Sequence, residues 1–315
     1  ELAKDYQKVI AVAGTNGKTT TTAMIGTILE AAGENPTVLV GSRVLAWDSN
    51  ARMGGNKYFV LEADEYRRAF LNYRADVAVI TNIEADHLDY YRDLEDIKSA
   101  FEEFKKNIRP GGVVIGPDNI GKLPDGIKLR VPGWFNAANA AAAIAVCRAL
   151  GIQEEKIKSG LESFTGTWRR FEKVGRMGEC DIISDYAHHP AGIQAALDAA
   201  IEVYKDPKRI LVVFQPHQHN RTKKLFREFV NSFCSSAVEN FILAEIFDVS
   251  GREESKDRDI SSKDLVREIE KCDKKITYAK DLTDCEIKVR EVAFQYDAAI
   301  IMGAGDIYKV ANHLV

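Results

Sequence analysis

The chain has 315 residues, 45% of them hydrophobic and 29% charged, a balance that suits a folded soluble protein of about two domains. A formal charge of −4 leaves no surplus of Lys and Arg to grip a polyphosphate backbone, which argues against a nucleic-acid partner and means that any anionic ligand is held locally. No apolar run approaches the roughly 20 residues that span a bilayer, and no charged-then-apolar leader opens the chain, so neither membrane insertion nor an export signal is expected.

In chain order, the β-rich runs "KVIAVAG", "YFVLEA", "ADVAVITN" and "GGVVIG" alternate with helical patterns in the first half. In the second half "CDIISDYA", "RILVVFQ", "ENFILAEI", "KITYA" and "AAIIMGAG" do the same. That alternation predicts an α/β protein with parallel sheets covered by helices. Between the halves, "LESFTGTWRRFEKVG" lacks strong periodicity, and the domain boundary is expected near Trp168, giving domains 1–168 and 169–315. The charged, turn-rich stretch from Gly251 to Asp264 reads as an exposed loop. The five cysteines, Cys147, Cys180, Cys234, Cys272 and Cys285, are odd in number, far apart and without a CxxC pair. Neither a disulfide framework nor a cysteine zinc site is therefore expected, and a reducing cytoplasm fits this usage.

The first motif with chemistry is "VAGTNGKTTTT", where a strand ends at Ala13 and a helix begins about Gly17. Successive backbone N–H groups of residues 14 to 19 in one concavity would bind phosphate, with Lys18 adding charge and the Thr19 hydroxyl available to Mg²⁺. The standard phosphate-loop spacing requires glycine where this chain has Val12, so a turn that serves packing alone stays open as the second reading. Further on, "VLEADEYRRAFL" puts Glu62, Asp64 and Glu65 directly after a strand, and "VITNIEADHLDYY" delivers Glu84, Asp86, His87 and Asp89 after another. Carboxylates and a histidine at strand ends suit Mg²⁺ beside phosphate, with helix capping and solvated surface charge as the alternative. His188, His189, His217 and His219 lack the spacing of a helical zinc motif and leave a zinc set incomplete.

Taken together, "GTNGKTT", "EADEYRRAFL", "TNIEADHLDYY", "GWFNAANAAAAIA", "WRRFE", "DYAHHP", "FQPHQHNRT" and "GAGDIYK" resemble, in order, the motifs of the Mur ligases of peptidoglycan synthesis, and within them the L-alanine-adding branch. The resemblance implies a P-loop-type central ATPase sheet with flanking helices, followed by a Rossmann-like C-terminal domain. It implies ATP held by Gly14, Thr15, Asn16, Gly17, Lys18, Thr19 and Thr20, with Asn139 on the adenine, Asn136 a weaker candidate for that role, Arg170 on the phosphates and Asp185 on the ribose. Mg²⁺ would be held by Thr19, Glu62 and His87. His188, His217 and Arg221 would face the acceptor and the acyl phosphate, with Lys18, His188 and Arg221 in the catalytic roles. The implied substrates are a sugar-nucleotide carboxylate and L-alanine, joined through an acyl phosphate in the cytoplasm. The sequence does not set the oligomeric state.

Four departures from the family accompany this reading. The family carries an N-terminal UDP-binding domain ahead of the first ATPase strand, so the resemblance predicts that this chain is a fragment. The link from "GGVVIG" to "GWFNAANA" is shorter than the family's, which predicts a reduced central domain. Phe135 and Gln218 replace a histidine and an arginine of the family's motifs. The carbamylated lysine of many relatives falls near Phe101 and Glu102, an absence shared with the L-alanine-adding branch. A peptide-recycling ligase, and a nucleotide-binding module without ligase activity, are the alternative functions.

Overall fold

The computed structural model describes residues 2–85, 87, 90–249 and 257–315; Asp86 and Asp89 of the second acidic cluster, and residues 251–256 of the charged stretch, lie outside them. The chain divides into two compact units, Glu1–Trp168 and Arg169–Val315.

In the first unit β1 (Lys8–Ala13), β2 (Thr37–Val44), β3 (Ser49–Arg52), β4 (Tyr58–Glu62), β5 (Ala75–Ile80) and β6 (Ile108–Ile115) form a sheet in the order β3-β2-β4-β1-β5-β6. All neighbours pair in parallel except β3, which lies antiparallel to β2 at the edge. β1 is buried along its length after Lys8, as a central parallel strand covered on both faces must be. β2 and β3 are not marked by an apolar run: Gly41, Ser42 and Arg43 interrupt the first, and "SNAR" makes up the second.

Helix α1 (Lys18–Ala31) is buried from Thr19 to Leu29 and packs against α3 (Trp134–Ala149) and α4 (Glu154–Ser163). Four successive threonines are poor helix formers, so tertiary burial stabilises this helix more than propensity does. Some of its hydroxyls bond back along it, Thr22 Oγ1 donating to Lys18 O at 2.8 Å and Thr27 Oγ1 to Ala23 O at 2.9 Å. On the other side of the sheet α2 (Leu94–Lys106) turns Ile97, Ala100, Phe101 and Phe104 inward at helical spacing. Asp93 caps it by accepting from Asp96 N. Phe70 meets Phe101 edge-on at 5.1 Å and Phe104 stacked at 4.8 Å between ring centroids. Each such ring stabilises the unit by about 2–3 kcal/mol through burial.

The second unit has β7 (Glu172–Met177), β8 (Cys180–Asp185), β9 (Ile210–Phe214), β10 (Asn240–Ala244), β11 (Lys275–Ala279) and β12 (Ala298–Met302), ordered β11-β10-β9-β12-β8-β7. Pairing is parallel except for β7, antiparallel to β8 at the edge. Its α-helices are α5 (Pro190–Tyr204), α6 (His219–Lys224), α7 (Phe226–Cys234), α8 (Ser262–Ile269), α9 (Leu282–Val292) and α10 (Tyr308–His313). The cysteine expectation is corrected here. Cys234 and Cys272 are joined in a disulfide across a separation of 38 residues, while Cys147, Cys180 and Cys285 are free and buried. Distance along the chain hid the pair, because the end of α7 and the 3-10 turn Glu270–Cys272 after α8 bring the two residues together.

Candidate functional site

Ligands of open α/β sheets bind beyond the C-terminal strand ends, where the strand order reverses. In the first unit β1 lies between β4 and β5, and the loop from Gly14 to Gly17 leaves its end. Gly14 and Gly17 have φ of 133° and 85°, and both are closely approached. A Cβ on Gly14 would lie 2.0 Å from Thr81 Oγ1, and one on Gly17 would lie 2.2 Å from Asn139 Oδ1. These residues shape the loop for backbone reasons.

The loop is strapped to the end of β5. Thr15 N donates to Asn82 O at 3.0 Å and Asn16 N to Asn82 Oδ1 at 2.9 Å, while Thr81 Oγ1 donates to Asn16 O at 2.5 Å. The expected concavity of N–H groups from residues 14 to 19 is corrected by these bonds. Two of its members are taken by Asn82, which leaves the N-terminus of α1, whose first N–H groups have no partner one turn back. Thr19 and Thr20 are buried in that first turn.

Lys18 Nζ donates to Gly14 O at 2.6 Å and to Glu65 Oε1 at 2.9 Å. Thr19 Oγ1 donates to Glu62 Oε1 at 3.1 Å, and Gly41 N fixes the other Glu62 oxygen at 2.7 Å. Gly41 leaves room for that carboxylate, since a Cβ there would lie 2.7 Å from Glu62 Oε2. Of the expected metal ligands, Thr19 and Glu62 are in direct contact. His87 lies with Asp64 and Glu65, and the ligand atoms of these three are within 4.8 Å of one another. His87 has φ of 52°, a left-handed conformation that a histidine adopts at a cost of about 1–3 kcal/mol. Oxygen donors such as Thr19 and Glu62 suit a hard divalent cation.

Asn139 and Asn136 are buried on α3. Asn139 Oδ1 accepts from Thr21 Oγ1 and its Nδ2 donates to Asn136 Oδ1, both at 3.4 Å, and Asn136 Nδ2 donates to Pro132 O at 2.7 Å. Phe101 is fully buried among aromatic rings.

In the second unit the expected residues gather beyond β8 and β9. The Asp185 carboxylate accepts from Ala187 N and Phe171 N, each at 2.7 Å, and burial pushes its pKa up against the pull of Arg170. Arg170 lies over the Tyr186 ring at 5.1 Å. Its neighbour Arg169, which the sequence did not single out, is buried, lies 5.0 Å from the same ring and 4.8 Å from that of Tyr308, and donates to Gly303 O. Only the doubled arginine of "WRRFE" hinted at it. Arg169, Phe171 and Gln218 all have φ between 50° and 73°.

His188, His217 and Arg221 do come together. The two imidazoles lie 5.9 Å apart, Arg221 Nη1 donates to His217 Nδ1 at 3.3 Å, and His217 stacks on Phe247 at 5.5 Å. His188 Nδ1 is 2.9 Å from Tyr186 O, a carbonyl that can only accept, so Nδ1 carries the proton and Nε2 is the acceptor. Burial, then Arg221, lowers its pKa to about 3, which keeps the ring neutral. His219 instead turns to Ile260 O at 3.0 Å, and His189 is the N-cap residue of α5. Among the described residues, Asp64, Glu65 and His87 form a grouping with metal-ligating geometry.

Residues 12–123 match the Mur ligase middle domain, and residues 169–305 match the Mur ligase glutamate ligase domain. A UDP-N-acetylmuramate–L-alanine ligase of Lachnospira eligens is 36% identical over 356 residues, covering 98% of this chain and 76% of that protein. Its counterpart in Desulfitobacterium hafniense is 38% identical over 348 residues, covering 97% of the chain and 76% of the relative. Both aligned regions exceed the 315 residues of this chain, so the relatives carry residues within the match that it lacks. The crystal structure of a UDP-N-acetylmuramate–alanine ligase from Thermotoga maritima superposes with a TM-score of 0.80 at 27% identity, covering 99% of this chain and 76% of that one. Both six-stranded mixed sheets with their flanking helices match that fold. Among the described residues no helix is long and apolar enough to cross a membrane.

Proposed function

This chain belongs to the Mur ligase family, and from that premise we propose that it joins L-alanine to the carboxylate of UDP-N-acetylmuramate in peptidoglycan precursor synthesis, using ATP and forming ADP. The observation that carries this reading is the convergence of Lys18, Thr19 and Glu62 at the ends of β1 and β4, in a chain whose relatives bear that activity in their names. The substrate carboxylate attacks the γ-phosphorus of ATP to give an acyl phosphate and ADP. The amine of alanine then attacks the acyl carbon, phosphate leaves, and the amine gives up a proton. Such transfer depends on positioning and charge neutralisation more than on a covalent enzyme intermediate.

In this proposal the N-terminus of α1 and Lys18 hold the β and γ phosphates. Thr19, Glu62 and His87 would hold Mg²⁺, which would supply charge neutralisation on the transferring group. Asn139 and Asn136 are assigned to the adenine, Arg170 to the phosphates and Asp185 to the ribose. Neutral His188 offers Nε2 as an acceptor, and Arg221, oriented by His217, offers guanidinium donors to the acyl phosphate. A cytoplasmic location is part of the same proposal.

The test is phosphate release and amide formation measured with ATP, UDP-N-acetylmuramate and alanine, each omitted in turn. Turnover that requires all of them supports the reading. Turnover only when a peptide replaces alanine points to a recycling ligase, and ATP binding without turnover points to a binding module.

A further inference from the structure

Glu65 follows the expected metal ligand Glu62 by three positions, has no place in the mechanism above, and is only 2% exposed. Its Oε2 and Oε1 lie 2.8 and 2.9 Å from Lys18 Nζ, and Oε1 is 3.5 Å from His87 Nε2. Tyr91 Oη donates to the Glu65 backbone carbonyl at 2.6 Å, anchoring the residue from behind. Lys18 meanwhile donates to Gly14 O at 2.6 Å and Thr15 O at 3.3 Å. An ammonium has three N–H donors, and with these partners all three are engaged by the protein.

We propose that Glu65 is the resident counter-ion of Lys18, which phosphate has to displace, and that it makes nucleotide binding depend on a divalent cation. The proposal rests on the reading of this loop as the ATP site. When Lys18 turns to a phosphate, Glu65 remains a buried carboxylate without its lysine, beside further negative charge, a costly arrangement. A cation arriving with the phosphates removes that cost, because Glu65, Asp64 and His87 form an electronegative group next to it. Glu65 is thus a positioning residue. It sets which form of the nucleotide binds without touching the reacting atoms.

The experiment is equilibrium titration of ATP, once with chelator and once with Mg²⁺, into the wild type, Glu65→Gln and Glu65→Asp, with thermal unfolding as the check on folding. Glu65→Gln is expected to tighten metal-free ATP about tenfold or more, the worth of one charge-assisted bond released from Lys18. The enhancement by Mg²⁺ falls by a similar factor, since the coupling is reciprocal. Glu65→Asp keeps the charge but draws it back by one methylene, and its enhancement lies between the two. Should Glu65→Gln not fold, the Asp variant decides alone, because its enhancement has to fall below that of the wild type. Equal Mg²⁺ enhancement in all three proteins, or equal weakening with and without metal, overturns the proposal. Absence of ATP binding by the wild type under both conditions instead removes the ATP-site reading beneath it.

Discussion

Gly17 and Asn139 meet where α1 begins, and a Cβ on the glycine would lie 2.2 Å from the asparagine's Oδ1. The contact ties the loop after β1 to α3, more than a hundred residues further along the chain. Because Gly17 also has φ of 85°, Gly17→Ala is expected to cost about 1–3 kcal/mol from backbone strain, plus the clash. Combining it with Asn139→Ala relieves the clash but not the strain, so the pair is non-additive in urea denaturation. Strict additivity would mean that the two side chains do not share this space.

Lys18 and Glu65 predict a separation of stability from binding. The side chains are 13% and 3% exposed, so Lys18→Met leaves a buried carboxylate without its partner and is expected to destabilise by about 3 kcal/mol. Lys18→Met with Glu65→Gln recovers most of that loss in chemical denaturation. The double variant still binds ATP·Mg²⁺ at least about tenfold more weakly than wild type, because the loop has lost its own charged donor to the phosphates. Unchanged affinity in either variant sinks the phosphate-loop assignment.

The parts of this architecture that follow local rules could be read from the sequence. Apolar runs gave β1, β4 and β5, and the glycines with Lys18 gave the turn into α1. His188, His217 and Arg221 were named from the resemblance to Mur ligase motifs, and their meeting depends on β8 and β9 ending at the same side of one sheet. What stayed hidden depends on contacts distant in sequence. Asn82 takes two N–H groups that looked available to phosphate, and Glu65 differs from Asp64 only in being buried against Lys18. Edge strands β3 and β7 carry few apolar side chains because only part of their surface is covered, so their alternation is faint.

Cys234 and Cys272 give a direct chemical prediction. Under denaturing conditions without reductant, three thiols should react with a thiol reagent, and five after reduction. Closing a separation of 38 residues restricts the unfolded chain by about 4 kcal/mol in the chain-entropy treatment, so reduction lowers the unfolding midpoint of the second unit. Five reactive thiols in protein purified without reductant would show that the bond does not form under those conditions.

His188 gives the pH dependence. Burial and the nearby Arg221 hold its pKa near 3, from an ordinary value of 6.5, despite the opposing bond to Tyr186 O. Between those values the unfolded chain binds a proton at this site that the folded protein does not, so stability rises with pH across the window. The contribution is therefore complete above about pH 6.5 and is lost as the pH falls toward 3. In NMR titration the His188 ring should show no midpoint near 6.5. His188→Asn should flatten the decline in unfolding free energy between pH 6.5 and pH 4, in proportion to the proton no longer taken up. An ordinary midpoint, or an unchanged decline in the Asn variant, would place the imidazole in contact with water and remove the argument that it enters the reaction neutral.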